Sequence, residues 1–364
     1  MKANSSCALT TIYECSTPKE TVLPLLRSHL PHTLSVYRRI QSHLHNPSPT
    51  ARILTTFPPE TCSPPPPRPW LVAWVDRTRA PESEVWLFST YELPLPPPLP
   101  PISDDSNNNN NNNTDNNNNN NNNNNPRTDL VRSHLLTLIK HIHAAGEPPG
   151  YTSPTPQTLL ISSLHSNLLA LLPRNLLHRD PPPYIKYIFA ASRLPPQHAL
   201  PQGFHYGRVH PSSFPLVLSR TPIRRTARTL ALFPSVAIYV SESTTTPTTT
   251  TTTTNQTLPI AWAFLGLDGS LSTLNVEEEY RGRGLAKRIV LKLFREELKP
   301  NFGDEVEEGW AHSDVLEGNW ASRGVAEALG GRVGWVNHWA YVNLGEVGRL
   351  GSGDGEMGGL ESCV

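Results

Sequence analysis

The sequence predicts an α/β protein, and three observations carry the prediction. Ser270 to Val276 is a short apolar-patterned segment with the β-branched Thr273 and Val276, and it reads as a strand. From Leu285 the apolar spacing changes to helical. Leu285, Ile289, Leu293 and Phe294 share one stripe, while Lys287, Arg288, Lys292 and Arg295 face outward. Between them lies a glycine-rich turn, Arg281-Gly282-Arg283-Gly284.

Taken in chain order, the remaining elements support the class. Asp129 to Ala145 reads as an amphipathic helix with Leu130, Leu135, Leu138, Ile139 and Ile142 on one side, capped by Thr128 or Asp129. Thr158 to Leu172 reads as a second helix and Tyr184 to Ala190 as a strand, with Arg193-Leu194-Pro195-Pro196 marking a boundary. Phe233 to Val240 and Ile260 to Leu267 read as strands before the glycine turn, and Gly309 to Val315 as the strand after its helix. Asn319 to Leu329 is then a helix ended by Gly330-Gly331, and Arg332 to Asn343 is hairpin-like.

The glycine turn carries the functional signal. A helix N-terminus has unpaired N–H groups and the positive end of the macrodipole, so it favours an anion. Gly282 and Gly284 remove Cβ atoms that would hold a pyrophosphate away from those amides, and Arg281 and Arg283 add charge. A dinucleotide fingerprint needs three glycines and a P-loop needs Gly-Lys-Ser/Thr, and neither is present.

Arg281-x-x-Gly284-x-Ala286 resembles the (Gln/Arg)-x-x-Gly-x-(Gly/Ala) signature of the GCN5-related N-acetyltransferases, and the run Leu274 to Leu285 resembles their FR47-like branch. The order of elements over residues 201–345 is similar to that family's. Leu26 to Ile40, Ala51 to Pro58, Trp70 to Val75 and Val85 to Ser89 resemble the amino-terminal half of glycine N-acyltransferase-like proteins, whose first domain is a degenerate copy of the second. So does Arg224 to Pro234. The resemblance implies a mixed, mostly antiparallel sheet flanked by helices. It also implies a degenerate domain over 1–195, an acyltransferase domain over 201–345 and a loose tail over 346–364. The cosubstrate it implies is acetyl-CoA or another acyl-CoA, without a metal.

Composition sets the partners. Lys plus Arg, 31, equals Asp plus Glu, 31, so nothing global suggests nucleic acid or an anionic membrane. No apolar run approaches the roughly 20 residues of a membrane span. Met1 to Glu20 lacks a signal core, so a cytoplasmic or nuclear location is expected. Cys7, Cys15, Cys62 and Cys363 are scattered and read as free thiols. The Asn runs within 107–125 bury nothing and are expected to be disordered. Pro64 to Pro67 and Pro94 to Pro101 are expected to be stiff, and Thr244 to Thr254 an expanded hairpin loop. His134 and His141 are seven residues apart, too far to share an ion without other ligands, so they and His143 read as solvated.

If the resemblance holds, two strands splay beside the turn and the pantetheine arm pairs with the backbone of Leu274, Asn275 and Val276. The pyrophosphate would then lie on Arg281, Gly282, Arg283, Gly284, Leu285 and Ala286. Asn319 matches a family asparagine that meets pantetheine, and an N-cap accounts for it equally. The glutamate base of glycine N-acyltransferases falls at Ser270 and the tyrosine acid of many relatives at Ala326, so both usual side chains are absent. Asp268 reads as a hairpin residue before Gly269, and Glu277 to Glu279 as a solvated run. His312 and Asp314 alternate on the next strand, so both can face the gap. Either takes the amine proton, directly or through water, or both make buried hydrogen bonds. Trp310, Trp320, Trp335 and Trp339 read as core. The expected acceptor is a small amine or amino acid, with a protein acceptor as the alternative. A non-catalytic acyl-CoA-binding module is the competing class.

Overall fold

A computed structural model describes residues 10–59, 65–94, 125–241, 258–302 and 309–349. The first half runs β1 (Tyr13–Glu14), α1 (Val22–Arg27), α2 (Leu34–His45), β2 (Arg52–Thr55), β3 (Leu71–Val75), β4 (Val85–Ser89), α3 (Pro126–Ala145), β5 (Thr158–His165), α4 (Ser166–Leu169) and β6 (Tyr184–Ala190). The second half runs β7 (Phe204–Gly207), α5 (Phe214–Arg220), α6 (Ala227–Leu232), β8 (Ser235–Val240), β9 (Ala261–Leu265), β10 (Leu271–Val276), α7 (Leu285–Phe302), β11 (Trp310–Leu316), α8 (Trp320–Ala328) and β12 (Arg332–Asn343). The Asn runs up to Asn124, Leu95 to Pro101, Pro64, Thr244 to Thr254, Cys7, Cys62, Cys363 and the tail from residue 350 lie outside the described residues.

The strands form two sheets. The larger has the order β1-β2-β3-β4-β5-β12-β6-β11 and the smaller β10-β9-β8-β7. Every pairing is antiparallel except β4 with β5, so the mixed, mostly antiparallel architecture is present. Both faces of the central strands are covered, which is why they read as continuous apolar runs. On β3, Leu71, Ala73 and Val75 pack towards α3, whereas Val72 and Trp74 pack against α1 and α2. On β9, Ala261, Ala263 and Leu265 meet α7, and Trp262 and Phe264 meet α5 and α6. Leu285, Ile289 and Leu293 anchor α7 on the smaller sheet. Each such side chain contributes about 1.5–3 kcal/mol of burial.

Several expectations are corrected. Thr158 to Leu172 is not a helix: β5 occupies its first part and a single turn, α4, follows. Its apolar run is buried on both faces between β4 and β12, a pattern that periodicity cannot separate from a buried helix. Arg332 to Asn343 is one strand and not a hairpin, because it pairs with β5 on one side and β6 on the other. That insertion carries the last strand of the second half into the sheet of the first. β6 likewise pairs with β11 as well as β12, so the segment expected to complete the first domain is shared.

Helix α3 starts at Pro126, with the Asn125 side chain accepting from the Arg127 N–H at 3.0 Å, in place of the expected Thr128 or Asp129 cap. On it His141 and His143 are exposed, but His134 is buried, and burial pushes its imidazole down to about 4. None of the four tryptophans expected in the core is fully buried, and Trp320 is 72% exposed. Leu344 to Arg349 is ordered as a 3-10 helix that buries Leu344 and Val347, so the loose tail expected over 346–364 does not begin at Glu346. Cys15 is buried and free. Among the described residues no helix is long and apolar enough to cross a membrane, and no three metal-ligating side chains gather.

Candidate functional site

The site lies where the two sheets approach each other. β10 is an edge of the smaller sheet and β11 an edge of the larger. They touch through one parallel bridge, Ser270 to His312, and beyond it each strand stays with its own sheet. The result is a wedge with one edge of β10 unpaired, a row of backbone groups that an extended ligand can complete. β10 also carries a bulge against β9: Ser272 faces Phe264 and Asn275 faces Trp262, with Thr273 at φ +53°. A bulge leaves one residue out of the ladder and bends the strand, here beside the gap. Nothing in the Ser-Thr-Leu-Asn sequence announced it.

The glycine turn follows directly. Gly282 and Gly284 sit at φ +76° and +71°, so the backbone needs glycine at both positions, independently of any ligand. Arg281 reaches back, its Nε donating to the Val276 carbonyl at 3.1 Å, and so ties the turn to the strand end. Arg283 donates to the Glu279 carbonyl at 3.3 Å and lies over the Tyr280 ring. Arg288, expected to face outward, folds back instead and donates to the Arg283 and Gly284 carbonyls at 3.1 and 3.2 Å. Residues 281–284 are exposed, and 18 residues of helix begin at Leu285. The turn at the N-terminus of α7 is therefore exposed. Glu277 is held by Arg220 at 3.0 Å and by the Asn275 amide at 3.2 Å, so it is paired and not a free solvated charge. Asn319 is the cap of α8, accepting from the Ser322 N–H at 3.1 Å.

At the closed end of the wedge is a buried polar cluster. Lys186 on β6, 1% exposed at its side chain, contacts Asp314 at 2.9 Å and donates to Ser35 Oγ at 3.1 Å and His312 Nδ1 at 3.0 Å. An ammonium only donates, so Nδ1 carries the lone pair. Nε2 therefore holds the proton and donates to the Asp268 carbonyl at 2.9 Å. His312, wholly buried, thus spends both ring nitrogens on the protein. Asp314 also accepts from Asn337 Nδ2 at 2.7 Å. Burial alone would push the Asp314 carboxyl up, but Lys186 above all outweighs it and holds the group well below the usual carboxylate range.

Asp268 does occupy the turn before β10, with Gly269 at φ +78°, yet it is more than a turn residue. Its carboxylate accepts from Ser270 Oγ at 2.6 Å and from Trp86 Nε1 at 3.4 Å. Burial works against its charge, and the neighbouring His312 ring first, then the Ser270 hydroxyl and last the Lys186 ammonium overcome it, keeping the carboxyl below its ordinary value. Ala326 is buried and offers no proton. Lys186, Ser35 and Asn337 were missed in the sequence. A lysine inside the apolar run Tyr-Ile-Lys-Tyr-Ile-Phe was the available signal, since a lysine on a two-sided buried strand needs a partner.

Comparison with known proteins adds two family matches. Residues 9–187 match the acyl-CoA N-acyltransferase verG N-terminal domain, and residues 252–340 match the FR47-like protein family. No curated protein matches the sequence. Among solved structures, a Drosophila protein superposes with TM-score 0.57 at 13% identity over 92% of this chain and 98% of that one, which bears on the fold alone. A tandem GNAT protein from the clavulanic acid biosynthesis pathway covers 91% of this chain and 97% of its own, at 11% identity and TM-score 0.43. A GCN5-related N-acetyltransferase from Kribbella flavida covers 75% and 84%, at 11% identity and TM-score 0.36.

Proposed function

The chain belongs to the GCN5-related N-acetyltransferase superfamily, with an FR47-like domain in its second half, and from that premise we propose that it transfers an acetyl or short acyl group from coenzyme A to a primary amine. The family supplies acyl transfer from coenzyme A, and the rest is our reading. The observation that carries it is the wedge between β10 and β11, open beyond Ser270–His312 and leading to a positive-φ glycine turn at a helix N-terminus. In this reading the pantetheine arm adds to β10 along Leu274, Asn275 and Val276. The pyrophosphate takes the amides and charges of Arg281 to Ala286. Asn319 borders the arm from the start of α8. Residues 1–195 and 201–345 remain the proposed functional halves, joined through the shared sheet.

Chemistry then rests on placement. An amine held against the thioester attacks directly, and orientation supplies roughly 7–11 kcal/mol of a bimolecular barrier. Backbone N–H near Val276 stabilises the charge that develops on the thioester oxygen. Of the base candidates, His312 has no free nitrogen and Asp314 is neutralised by Lys186. We therefore assign both to holding β11 in place. Ser270 and Asp268, at the closed end of the wedge, orient the amine, which reaches the site as its free base.

Binding without turnover is favoured by one observation, that Ser270 and Ala326 stand where relatives place a base and an acid. Calorimetric titration with acetyl-CoA, followed by thiol release against an amine panel, decides between the two. Acceptor-dependent release establishes the enzyme, and binding alone supports the module. Gly284→Glu places an anion and a side chain at φ +71°, and should abolish acyl-CoA binding. Undiminished binding by that variant, folded by circular dichroism, would remove the site assignment.

A further inference from the structure

Helix α2 of the first half lays one face against the closed end of the wedge. Ser35, Arg38 and Gln41 recur every three residues and so share that face. Ser35 Oγ accepts from the Lys186 ammonium at 3.1 Å, and Gln41 Nε2 donates to the carbonyl of Phe302, the last residue of α7, at 3.2 Å. Arg38 lies between them, 2% exposed, and reaches the starts of both wedge strands. Its Nη2 donates to the carbonyl of Trp310, the first residue of β11, at 3.4 Å, and its Nη1 donates to Gln41 Oε1 at 2.9 Å. Its stem packs against Gly269, just before β10. A Cβ built on that glycine would stand 3.1 Å from Arg38 Cγ, and its φ is +78°.

This placement bears on the chemistry, because Gly269 separates Asp268 from Ser270, the two residues that orient the amine in the reading above. The strands themselves meet only in the bridge Ser270–His312 and in the bond from His312 Nε2 to the Asp268 carbonyl. One bridge is a pivot and leaves the angle between the two sheets adjustable. A side chain lodged behind it, against Gly269 on one side and Trp310 on the other, resists that adjustment. Packing alone does not call for arginine here. Burial brings Arg38 down to about 10, so it stays charged at neutral pH, and an apolar chain of similar length would fill the space without desolvating a cation. The Phe302 ring, 4.9 Å from the guanidinium carbon, offsets part of that cost.

We propose that Arg38 is a positioning residue for acyl transfer: reaching across from the first half, it fixes the turn Asp268 to Ser270 relative to β11 and so presents the amine to the thioester at one angle. The inference rests on the acyltransferase reading above. Arg38 itself touches no reactant. The acyl-CoA contacts of that reading lie further along, from Leu274 to Ala286 and at Asn319, and survive a small shift of the turn. The amine does not, since a misplacement of about 1 Å can cost roughly a hundredfold in rate.

The test is Arg38→Met in the full chain, which keeps the stem beside Gly269 and removes the donors. Acetyl-CoA affinity by calorimetry should stay within about threefold, while kcat/KM for the best amine of the panel falls about ten- to a hundredfold. The urea midpoint should not fall, because a buried charge has been removed. Arg38→Lys, which keeps a donor for the Trp310 carbonyl, should recover part of the rate. Gly269→Ala, which presses on the Arg38 stem, should reproduce the defect from the other side. Unchanged kcat/KM in folded Arg38→Met would overturn the assignment, as would an equal loss of acetyl-CoA affinity or a rate loss that follows the urea midpoint. If Arg38→Met does not fold, Arg38→Lys and Gly269→Ala are judged by the same criteria. If the wild type binds acetyl-CoA without releasing thiol, amide hydrogen exchange over 268–276 and 310–316 decides: faster exchange in the variants supports the brace, and equal exchange refutes it. A wild type that does not bind acetyl-CoA removes the acyltransferase reading, and the role assigned to Arg38 with it.

Discussion

Replacing Lys186 by methionine isolates the forces at the closed end of the wedge. In the native protein Lys186 and Asp314 are 1% and 4% exposed at their side chains and 2.9 Å apart, and the same ammonium serves Ser35 and His312. Methionine fills the space but leaves Asp314 with the Asn337 amide, at 2.7 Å, and no cation. Removing one partner of a buried pair costs about 3–5 kcal/mol, because the remaining charge stays desolvated. The orphaned His312 Nδ1 places the expected loss in the upper part of that range.

The pH dependence provides the signature. Native Asp314 is held below its unfolded value, so its contribution is present above the unfolded pKa of about 3.9 and is lost as pH falls below it. Without Lys186, burial dominates and the carboxyl rises above its ordinary value. The folded variant then binds the extra proton, and its deficit should shrink as pH falls from 7 to 4. Urea unfolding at both pH values measures this. The double variant Lys186→Met/Asp314→Leu should recover most of the loss, since an apolar pair avoids the desolvation penalty. A single variant within about 1 kcal/mol of wild type at pH 7, or a deficit independent of pH, would refute the account.

Other outcomes follow from the same geometry. Gly282→Val should cost about 1–2 kcal/mol of stability and weaken acyl-CoA binding through its φ of +76°, although no atom lies within 4 Å of the added Cβ, whereas Gly282→Asn should be tolerated better. Denaturation and acetyl-CoA titration of both variants measure this, and equal behaviour would exclude a backbone cause. Burial, opposed by Arg77, raises Glu84 to about 7, so its contribution is full below about 4.5 and falls as pH rises through 7, on the order of 3 kcal/mol; Glu84→Gln should flatten that part of the stability profile. His134 has the opposite sign. Lowered to about 4, it costs stability as pH falls from about 6.5, and His134→Leu should remove that acid sensitivity in urea unfolding at pH 7 and pH 4. Asp314→Asn should leave the pH–rate profile unchanged in shape, and loss of one limb would return Asp314 to the role of base.

Local patterns were legible in the sequence and long-range partners were not. The turn from Arg281 to Gly284 could be read because its constraint is local: glycine where φ is positive, then an amphipathic helix. The strands Tyr184–Ala190, Ser235–Val240, Ala261–Leu265, Leu271–Val276 and Trp310–Leu316 were legible for the same reason, each being short and apolar and bounded by turn residues. β5 was misread because a strand buried on both faces loses the alternation that identifies it. Buried polar residues gave little warning of their partners, since Lys186 meets Asp314 across 128 residues and Asn337 meets Ser163 across 174.

The sequence by itself therefore determined the α/β class, the glycine turn that opens a helix and the strand that leads into it. These depend on backbone preference and hydrophobic period within a few residues. Only the tertiary structure decided that β12 crosses between β5 and β6, that His312 and Asp314 are bound into a buried network, and that Arg39 is buried against Trp74 and Trp86. Those outcomes depend on which distant strands pair and which charges share the same desolvated space, and no local pattern encodes either one.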